Sequence, residues 1–543
     1  MDKDFSTPVT SAGTRRRRRR LAVLVAVVVL VAGGAGWWAV RHFAEAATHC
    51  AGVDSASGTG YELLRGPDGE CLGWTVDLDH AFGTTDAAAA DVVHRIVEAN
   101  REVAKSKNYV RLAVMMPMKA DDSSKLDGAS LRHALQGALT AQRAVNHGPR
   151  HGDQALGVQL VLANIGVDQQ SWAPVVARLG ALKSGEHPLV AVTGLGVSVP
   201  ETRAAADKLY DDWGIPSMGA VLSADDMTTR STAPDSRAPG LFKTSPSNHD
   251  YAKALEAEFA RLGLGSGFLV RDRNDDNFVK SLGNAFIDVF GGFDLRRRQV
   301  SFTGSTTDTD QTANLFTPAV DAISREKPAV VLYAGRDADL PTFVRRLGSR
   351  TRERSDPNLV LATGMTGLIV LDQPDPTGKL LSAADLAEAG VTLLAASSTD
   401  VAAWEQGVRR PSGYPEFRAL FTGEFGFPVT DMLDGYAVMH YDAVAVTAEA
   451  ARKSYSETNR LPSPQDVRNN LYSFGENPPL IGASGSYRWV EEPRNDAWPV
   501  GKIVPILTYP RGAPQQDDYR TDCHLLRNPD NLDDYESLPC YPK

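Results

Sequence analysis

The chain has 543 residues, 42% hydrophobic and 23% charged, with 47 Gly and 32 Pro spread along it. That composition excludes collagen, coiled coil and wholesale disorder, and the length exceeds the ~250–300 residues at which one core stops growing, so two or more domains are expected. The formal charge is −10; residues 1–42 hold eight Lys or Arg against Asp2 and Asp4, so the remainder carries −16, which would repel nucleic acid.

Six consecutive arginines, Arg15–Arg20, precede Leu21–Val40, twenty residues without a charge. At ~1.5 Å per residue such a run spans the ~30 Å hydrocarbon layer of a bilayer. The arginines keep residues 1–20 cytoplasmic, Trp37 and Trp38 stand where an aromatic belt belongs, and residues 21–42 read as a signal-anchor with the body outside. A cleaved signal peptide is the alternative: Ala44-Glu45-Ala46 fits an A-x-A site, although the apolar run is longer than the usual ~7–15 residues. A lipoprotein would need a small residue before Cys50, where His49 stands.

Export agrees with the cysteines, which fall in two windows, Cys50 with Cys71 and Cys523 with Cys540. Three connectivities are open, and local pairing is expected because each window closes a short loop without drawing distant ends together. No C-x-x-C occurs, which argues against zinc.

Residues 43–107 contain a Gly-rich stretch, Cys71-Leu72-Gly73-Trp74 and a helical pattern from Ala87 to about Lys105, and are expected to form a membrane-proximal stalk. From Tyr109 strand and helix alternate: strand Val110–Met116, helix Gly128–Asn146, strand Val158–Ala163, helix Ser171–Lys183, strand Leu189–Thr193, helix Glu201–Trp213. A second series follows: helix Asn248–Leu262, strand Gly267–Arg271, helix Asn277–Phe290, strand Ala329–Tyr333, helix Leu340–Arg350, strand Leu359–Ala362. Two βα series predict two doubly wound lobes. Tyr414–Phe425 and Gly435–Lys453 read as helices, and Gly485–Trp489 with Ile503–Tyr509 as a hairpin turning near Arg494 and Asn495.

The stretch Leu112–Asn146, with Met116-Pro117-Met118 and Leu135-Gln136-Gly137-Ala138, resembles the first strand, loop and helix of type I periplasmic binding proteins. Gly214-Ile215-Pro216-Ser217-Met218-Gly219-Ala220-Val221-Leu222-Ser223 resembles another segment of that family, as do Leu241–Ser247, Val331–Gly335 and Tyr441–Val444. The matches run in family order over about 108–512, and the branch they resemble is that of branched-chain amino-acid binding proteins of ABC transporters. The resemblance implies two Rossmann-like lobes joined by a multi-strand hinge. Lobe 1 would take 108–240 and 396–475, lobe 2 would take 241–395 and 476–512, and 513–543 would be a C-terminal tail.

In such sheets ligands sit beyond the carboxyl ends of strands. Ser198, three residues before Glu201, fits a capping box opening a helix whose free N–H groups suit a ligand carboxylate. The resemblance places Ser223, with Val221 in the same loop, where relatives carry a ligand-binding Thr. It places Phe278 where they carry Tyr, and Met365 where they carry an acidic residue, a departure that argues against ordinary amino acids as ligands. Tyr333 and Arg336 stand at another strand end and offer a ring face and a cation, or plain surface.

Catalytic patterns do not assemble. Val199 replaces the third Gly of a dinucleotide fingerprint after Gly194 and Gly196, and no G-x-S-x-G or phosphate loop occurs. His147 and His151 flank Gly148-Pro149 and so share no helical face, while Asp275 and Asp276 read as a solvated loop. The expectation is a membrane-tethered, extracytoplasmic solute-binding protein, not an enzyme, without cofactor or metal. It would close two lobes on a small ligand, with an ABC permease as the partner the resemblance implies. The alternative is a ligand sensor or cell-surface interaction protein that keeps the fold without transport.

Overall fold

The strand Tyr109–Met116 sends its side chains alternately to two apolar surfaces, as period-2 geometry requires. Val110, Leu112, Val114 and Met116 join one core, and Ala113 and Met115 the other. A strand buried on both faces belongs to the middle of a sheet covered by helices on both sides. In this computed structural model, residues 55–510 are described apart from 59, 68, 80–81, 85, 122–123, 149, 152–154, 229–237, 305–314, 351–356, 475–478 and 490–497; 524–527 and 535–538 are also described.

The first sheet comprises β1 (Ser55–Gly58), β2 (Tyr61–Arg65), β3 (Cys71–Thr75), β4 (Tyr109–Met116), β5 (Gly157–Asn164), β6 (Leu189–Leu195), β7 (Ser217–Gly219) and β8 (Leu241–Lys243). Its order is β1-β2-β3-β5-β4-β6-β7-β8, parallel from β5 to β8 and antiparallel from β1 to the β3–β5 pair. Its helices are α1 (Ala87–Val103), α2 (Gly128–His147), α3 (Trp172–Ala181) and α4 (Pro200–Trp213). The second lobe adds α5 (Asn248–Leu262), α6 (Asn277–Val289), α7 (Thr317–Glu326), α8 (Leu340–Leu347) and α9 (Ala383–Ala389). Its strands are β9 (Gly267–Asp272), β10 (Gln299–Phe302), β11 (Val330–Ala334), β12 (Leu359–Gly364), the small parallel pair β13 (Val370–Leu371) and β14 (Leu381–Ser382), and β15 (Val391–Ala396).

The chain then returns to the first lobe with α10 (Val401–Glu405), α11 (Tyr414–Arg418), α12 (Tyr436–Thr458), α13 (Pro464–Ser473) and the hairpin β16 (Leu480–Gly482) and β17 (Gly485–Tyr487). It ends in the second lobe with β18 (Ile503–Tyr509), β19 (His524–Arg527) and β20 (Tyr535–Leu538). The second sheet has the order β10-β9-β11-β12-β15-β18-β19-β20. Both parallel cores therefore repeat one doubly wound order, second-first-third-fourth-fifth, and the chain crosses between lobes three times.

Four expectations need correction. Residues 55–103 are no stalk, because β3 pairs antiparallel with β5 and α1 packs into the first core. Asn100 on α1 fixes it there: its Nδ2 donates to Leu160 O at 2.7 Å and its Oδ1 accepts from Leu160 N at 2.9 Å, so a buried amide binds helix to sheet. The late hairpin is divided between the lobes. Leu480, Tyr487 and Trp489 lie in the first core, with Trp489 Nε1 donating to Lys243 O at 3.0 Å, whereas β18 pairs antiparallel with β15. The tail beyond 512 contains β19 and β20, which extend the second sheet. Tyr414–Phe425 is not one regular helix either, since α11 passes into a wider π-type turn at Ala419–Glu424.

The motif Leu135-Gln136-Gly137-Ala138 has a packing cause. A Cβ at Gly137 would stand 2.0 Å from Ala437 O, so only glycine lets α2 and α12 approach so closely. The expected span within 21–42 and the cysteines Cys50, Cys523 and Cys540 lie outside the described residues. Among the described residues no helix is long and apolar enough to cross a membrane.

Candidate functional site

Carboxyl ends of parallel strands from both lobes face one cleft. On the first lobe β6 delivers Gly196, Val197 and Ser198, and the loop after β7 delivers Val221 and Ser223; on the second, β11 delivers Arg336 and Asp337, and β12 delivers Met365, Thr366 and Gly367. Phe278 comes from the first turn of α6 and Tyr436 from the start of α12. The walls leave about 40 Å³ for the centre of a water-sized sphere. At roughly 10–15 Å³ per water this is room for about three waters, so a larger solute would hold the lobes further apart.

Local geometry explains each wall. Gly194 has φ +83° at an irregularity in the β6–β7 pairing, which turns the chain so that residues 196–198 face the cleft. Ser198 does not cap α4. Pro200 opens that helix and Val199 is its N-cap, which leaves Ser198 one residue too early. The Ser198 Oγ instead accepts from Ser223 N at 3.2 Å and Ala224 N at 3.3 Å, tying the two loops of the first wall together.

Asp276 is likewise no solvated loop residue. It is buried, its Oδ1 accepts from Phe278 N at 2.9 Å as the cap of α6, and its Oδ2 accepts from Arg336 Nε at 2.8 Å, with Nη2 at 2.7 Å. The guanidinium in turn lies 5.3 Å from the centre of the Phe278 ring. Asp275 beside it is exposed.

Backbone and side chains join the walls directly. Phe278 N donates to Ser198 O at 3.2 Å, and Asn248 links both walls, its backbone N donating to Ser223 O at 2.7 Å and its Nδ2 to Phe278 O at 3.1 Å. At the rim Ser281 Oγ donates to Asp225 Oδ2 at 2.6 Å and accepts from Asp225 N at 2.8 Å, while Asn277 Nδ2 donates to Asp226 Oδ2 at 2.5 Å. Burial pushes the Asp225 and Asp226 carboxyls above the ordinary aspartate range. A Cβ at Gly367 would stand 2.2 Å from Asp434 O, so glycine allows the β12 loop to meet the segment that carries Tyr436.

Behind Tyr436, Asp434 Oδ1 accepts from Tyr436 N at 3.0 Å, and His133 on α2 lies with Nδ1 2.6 Å from Asp434 Oδ2 and Nε2 3.4 Å from Asp431. Burial opposes charge on His133, but the two carboxylates outweigh it and raise its pKa to about 9. His440 meets no carboxylate among the described residues, only the Tyr436 carbonyl 2.9 Å from its Nδ1, and burial lowers its pKa to about 4.

The structure thus brings Ser198, Val221, Ser223, Phe278 and Met365 to one cleft. Tyr333 is the exception: its side chain is fully buried among Phe302 and Phe343, with its hydroxyl donating to Arg336 O at 3.0 Å, because it lies within β11 rather than beyond its end. The strand-end rule, applied three residues later, would have pointed to Asp337 as well as Arg336. Tyr436 follows a crossover whose folding back has no local sign in the sequence.

Two doubly wound lobes, three crossings and a cleft at their strand ends define the two-lobe fold of the type I periplasmic binding proteins. No protein-family model and no curated protein matches the sequence. Among solved structures the chain is similar to an ABC transporter substrate-binding protein from Desulfitobacterium hafniense, with 18% identity, TM-score 0.51, and 75% of this chain and 98% of that one covered. It is similar to the branched-chain amino-acid substrate-binding protein LivJ of Streptococcus pneumoniae in complex with isoleucine, at 14% identity and TM-score 0.50, covering 79% and 99%. A solute-binding protein from Rhodopseudomonas palustris in complex with p-hydroxybenzoic acid matches at 14% identity and TM-score 0.51, covering 76% and 94%. At these identities the likeness is one of fold.

Proposed function

We propose that this protein is an extracytoplasmic solute-binding protein that closes its two lobes on a small ligand and presents the closed form to an ABC importer. The observation that carries this reading is the cleft itself, walled by strand-end loops of both lobes and bridged by bonds that exist only when the lobes meet. A ligand touching both walls favours closure by its differential affinity for the closed form. Ser198 and Ser223 offer hydroxyls on one side, and Phe278, Met365 and Tyr436 offer apolar surface on the other. The relatives of similar fold, named for amino acids and for an aromatic acid, agree with a ligand of that size.

Tethering through residues 21–42, with residues 1–20 in the cytoplasm, belongs to the same proposal and rests on the arginine run and the apolar stretch. So does local pairing of the cysteines. Cys71 is buried and disulfide-bonded, which is compatible with Cys50 as its partner. The reading is tested by native mass spectrometry of the purified protein, which should carry one small co-purified molecule lost on partial unfolding. Protein of bare mass that stays so after exposure to metabolite extract would contradict it and favour an interaction protein.

A further inference from the structure

The segment between β4 and α2 carries a cation of the first lobe to the second. Leu126 is buried in the first core and Asp127 caps α2, its Oδ1 accepting from Ser130 N at 2.6 Å, so the backbone of Lys125 is anchored in the first lobe. Its Nζ stands 3.9 Å from Asp276 Oδ2, across the boundary between the lobes. The same oxygen holds Arg336 of the second lobe, at 2.8 Å from Nε and 2.7 Å from Nη2. One carboxylate, its side chain 5% exposed, therefore faces a cation from each lobe, and the two residues it supports within its own lobe, Phe278 and Arg336, both line the cleft. Of the neighbouring charges, Asp127 acts on Asp337 as a like charge and Asp275 is already paired with Lys280 on α6, so the attraction across this seam centres on Asp276.

We infer that Asp276 is a positioning residue that couples lobe closure to the cleft wall: it holds Phe278 and Arg336 in place and takes Lys125 of the opposite lobe as an electrostatic latch. The inference rests on the solute-binding reading above and names the charge pair that favours its closed form. Capping α6 and pairing within the second lobe need Phe278 N and Arg336 and nothing more. Lys125 is a further partner, which the carboxylate has when the lobes meet and gives up to water when they part. An interaction present in one state and absent from the other is what shifts a two-state equilibrium. Burial of Asp276 lessens the screening that makes exposed pairs weak, while Lys125, 34% exposed, remains within reach of salt.

The test is small-angle scattering of the full protein, without added solute, at low and at high salt. Lys125→Glu turns attraction into repulsion and should shift the open–closed ratio about fivefold or more toward open at low salt, seen as a larger radius of gyration, whereas Lys125→Arg should match the parent. High salt should narrow the difference between the parent and Lys125→Glu, which a loss of packing would not do. In an Asp276→Asn background, which keeps an oxygen for Phe278 N and removes the charge, Lys125→Glu should have little further effect. A radius for Lys125→Glu equal to that of the parent, a difference that ignores salt, or an equal opening in the Asp276→Asn background overturns the assignment. Melting followed by circular dichroism should be the same for the Lys125 variants and the parent, since this side chain lies outside both cores. No solute enters the measurement, so the co-purified mass judges the solute-binding reading separately.

Discussion

Ser281→Ala is the sharpest probe of lobe closure, because this hydroxyl bonds only across the cleft. Its Oγ donates to Asp225 Oδ2 at 2.6 Å and accepts from Asp225 N at 2.8 Å, and Asp225 belongs to the first lobe while Ser281 stands on α6 of the second. A bond to a charged group contributes about 1.5–3 kcal/mol and a neutral one about 0.5–1.5. Because Asp225 is only half-buried, the combined loss is set at about 2 kcal/mol. That amount shifts the open–closed ratio roughly 30-fold toward open. Small-angle scattering should show a larger radius of gyration for the variant, and ligand titration a weaker affinity, with little change in melting temperature since each lobe keeps its own core. An unchanged radius and affinity, or a large loss of melting temperature without them, would refute the reasoning.

Further outcomes follow from the buried groups. His133, with a pKa raised to about 9, contributes stability that is complete below its unfolded pKa near 6.5 and is lost as pH rises through about 9. The loss is about 3 kcal/mol over that window, and urea unfolding should show it in the parent and not in His133→Gln. Asp442→Ala should cost about 3–5 kcal/mol by the same measurement. It leaves Ser484 N and Tyr487 Oη without the carboxylate that accepts from them at 3.0 and 2.6 Å, and removes the negative charge that acts on buried Lys502, whose Nζ donates to Ser484 Oγ at 2.6 Å and Tyr487 Oη at 2.9 Å. Gly137→Ala should cost about 1–3 kcal/mol and lower the melting temperature, since the new Cβ meets the α12 backbone rather than a side chain that can yield.

Period and breakers made much of the architecture legible. The helix expected at Gly128–Asn146 runs Gly128–His147, and the strand expected at Val158–Ala163 runs Gly157–Asn164, because long apolar patterns bounded by an Asp cap and glycine leave few alternatives. What failed was assignment of segments whose partners lie far along the chain. Residues 55–75 are short strands that acquire a sheet only by meeting β5, and 480–509 divides between lobes across a crossing with no composition signal. The cleft was partly legible, since strand ends point to Ser198, Val221, Ser223, Phe278 and Met365. Tyr333 was misplaced by the length of one strand end, and Ser198 exchanged its expected cap for the neighbouring loop because Pro200 moved the helix start.

The most direct measurement is a crystal structure of the protein grown with the solute it co-purifies with. It should show the molecule between Ser198 and Ser223 on one side and Phe278 and Met365 on the other, with the lobes parted by no more than the solute requires. A molecule bound outside this cleft, or touching one lobe while the other keeps its distance, would contradict the account.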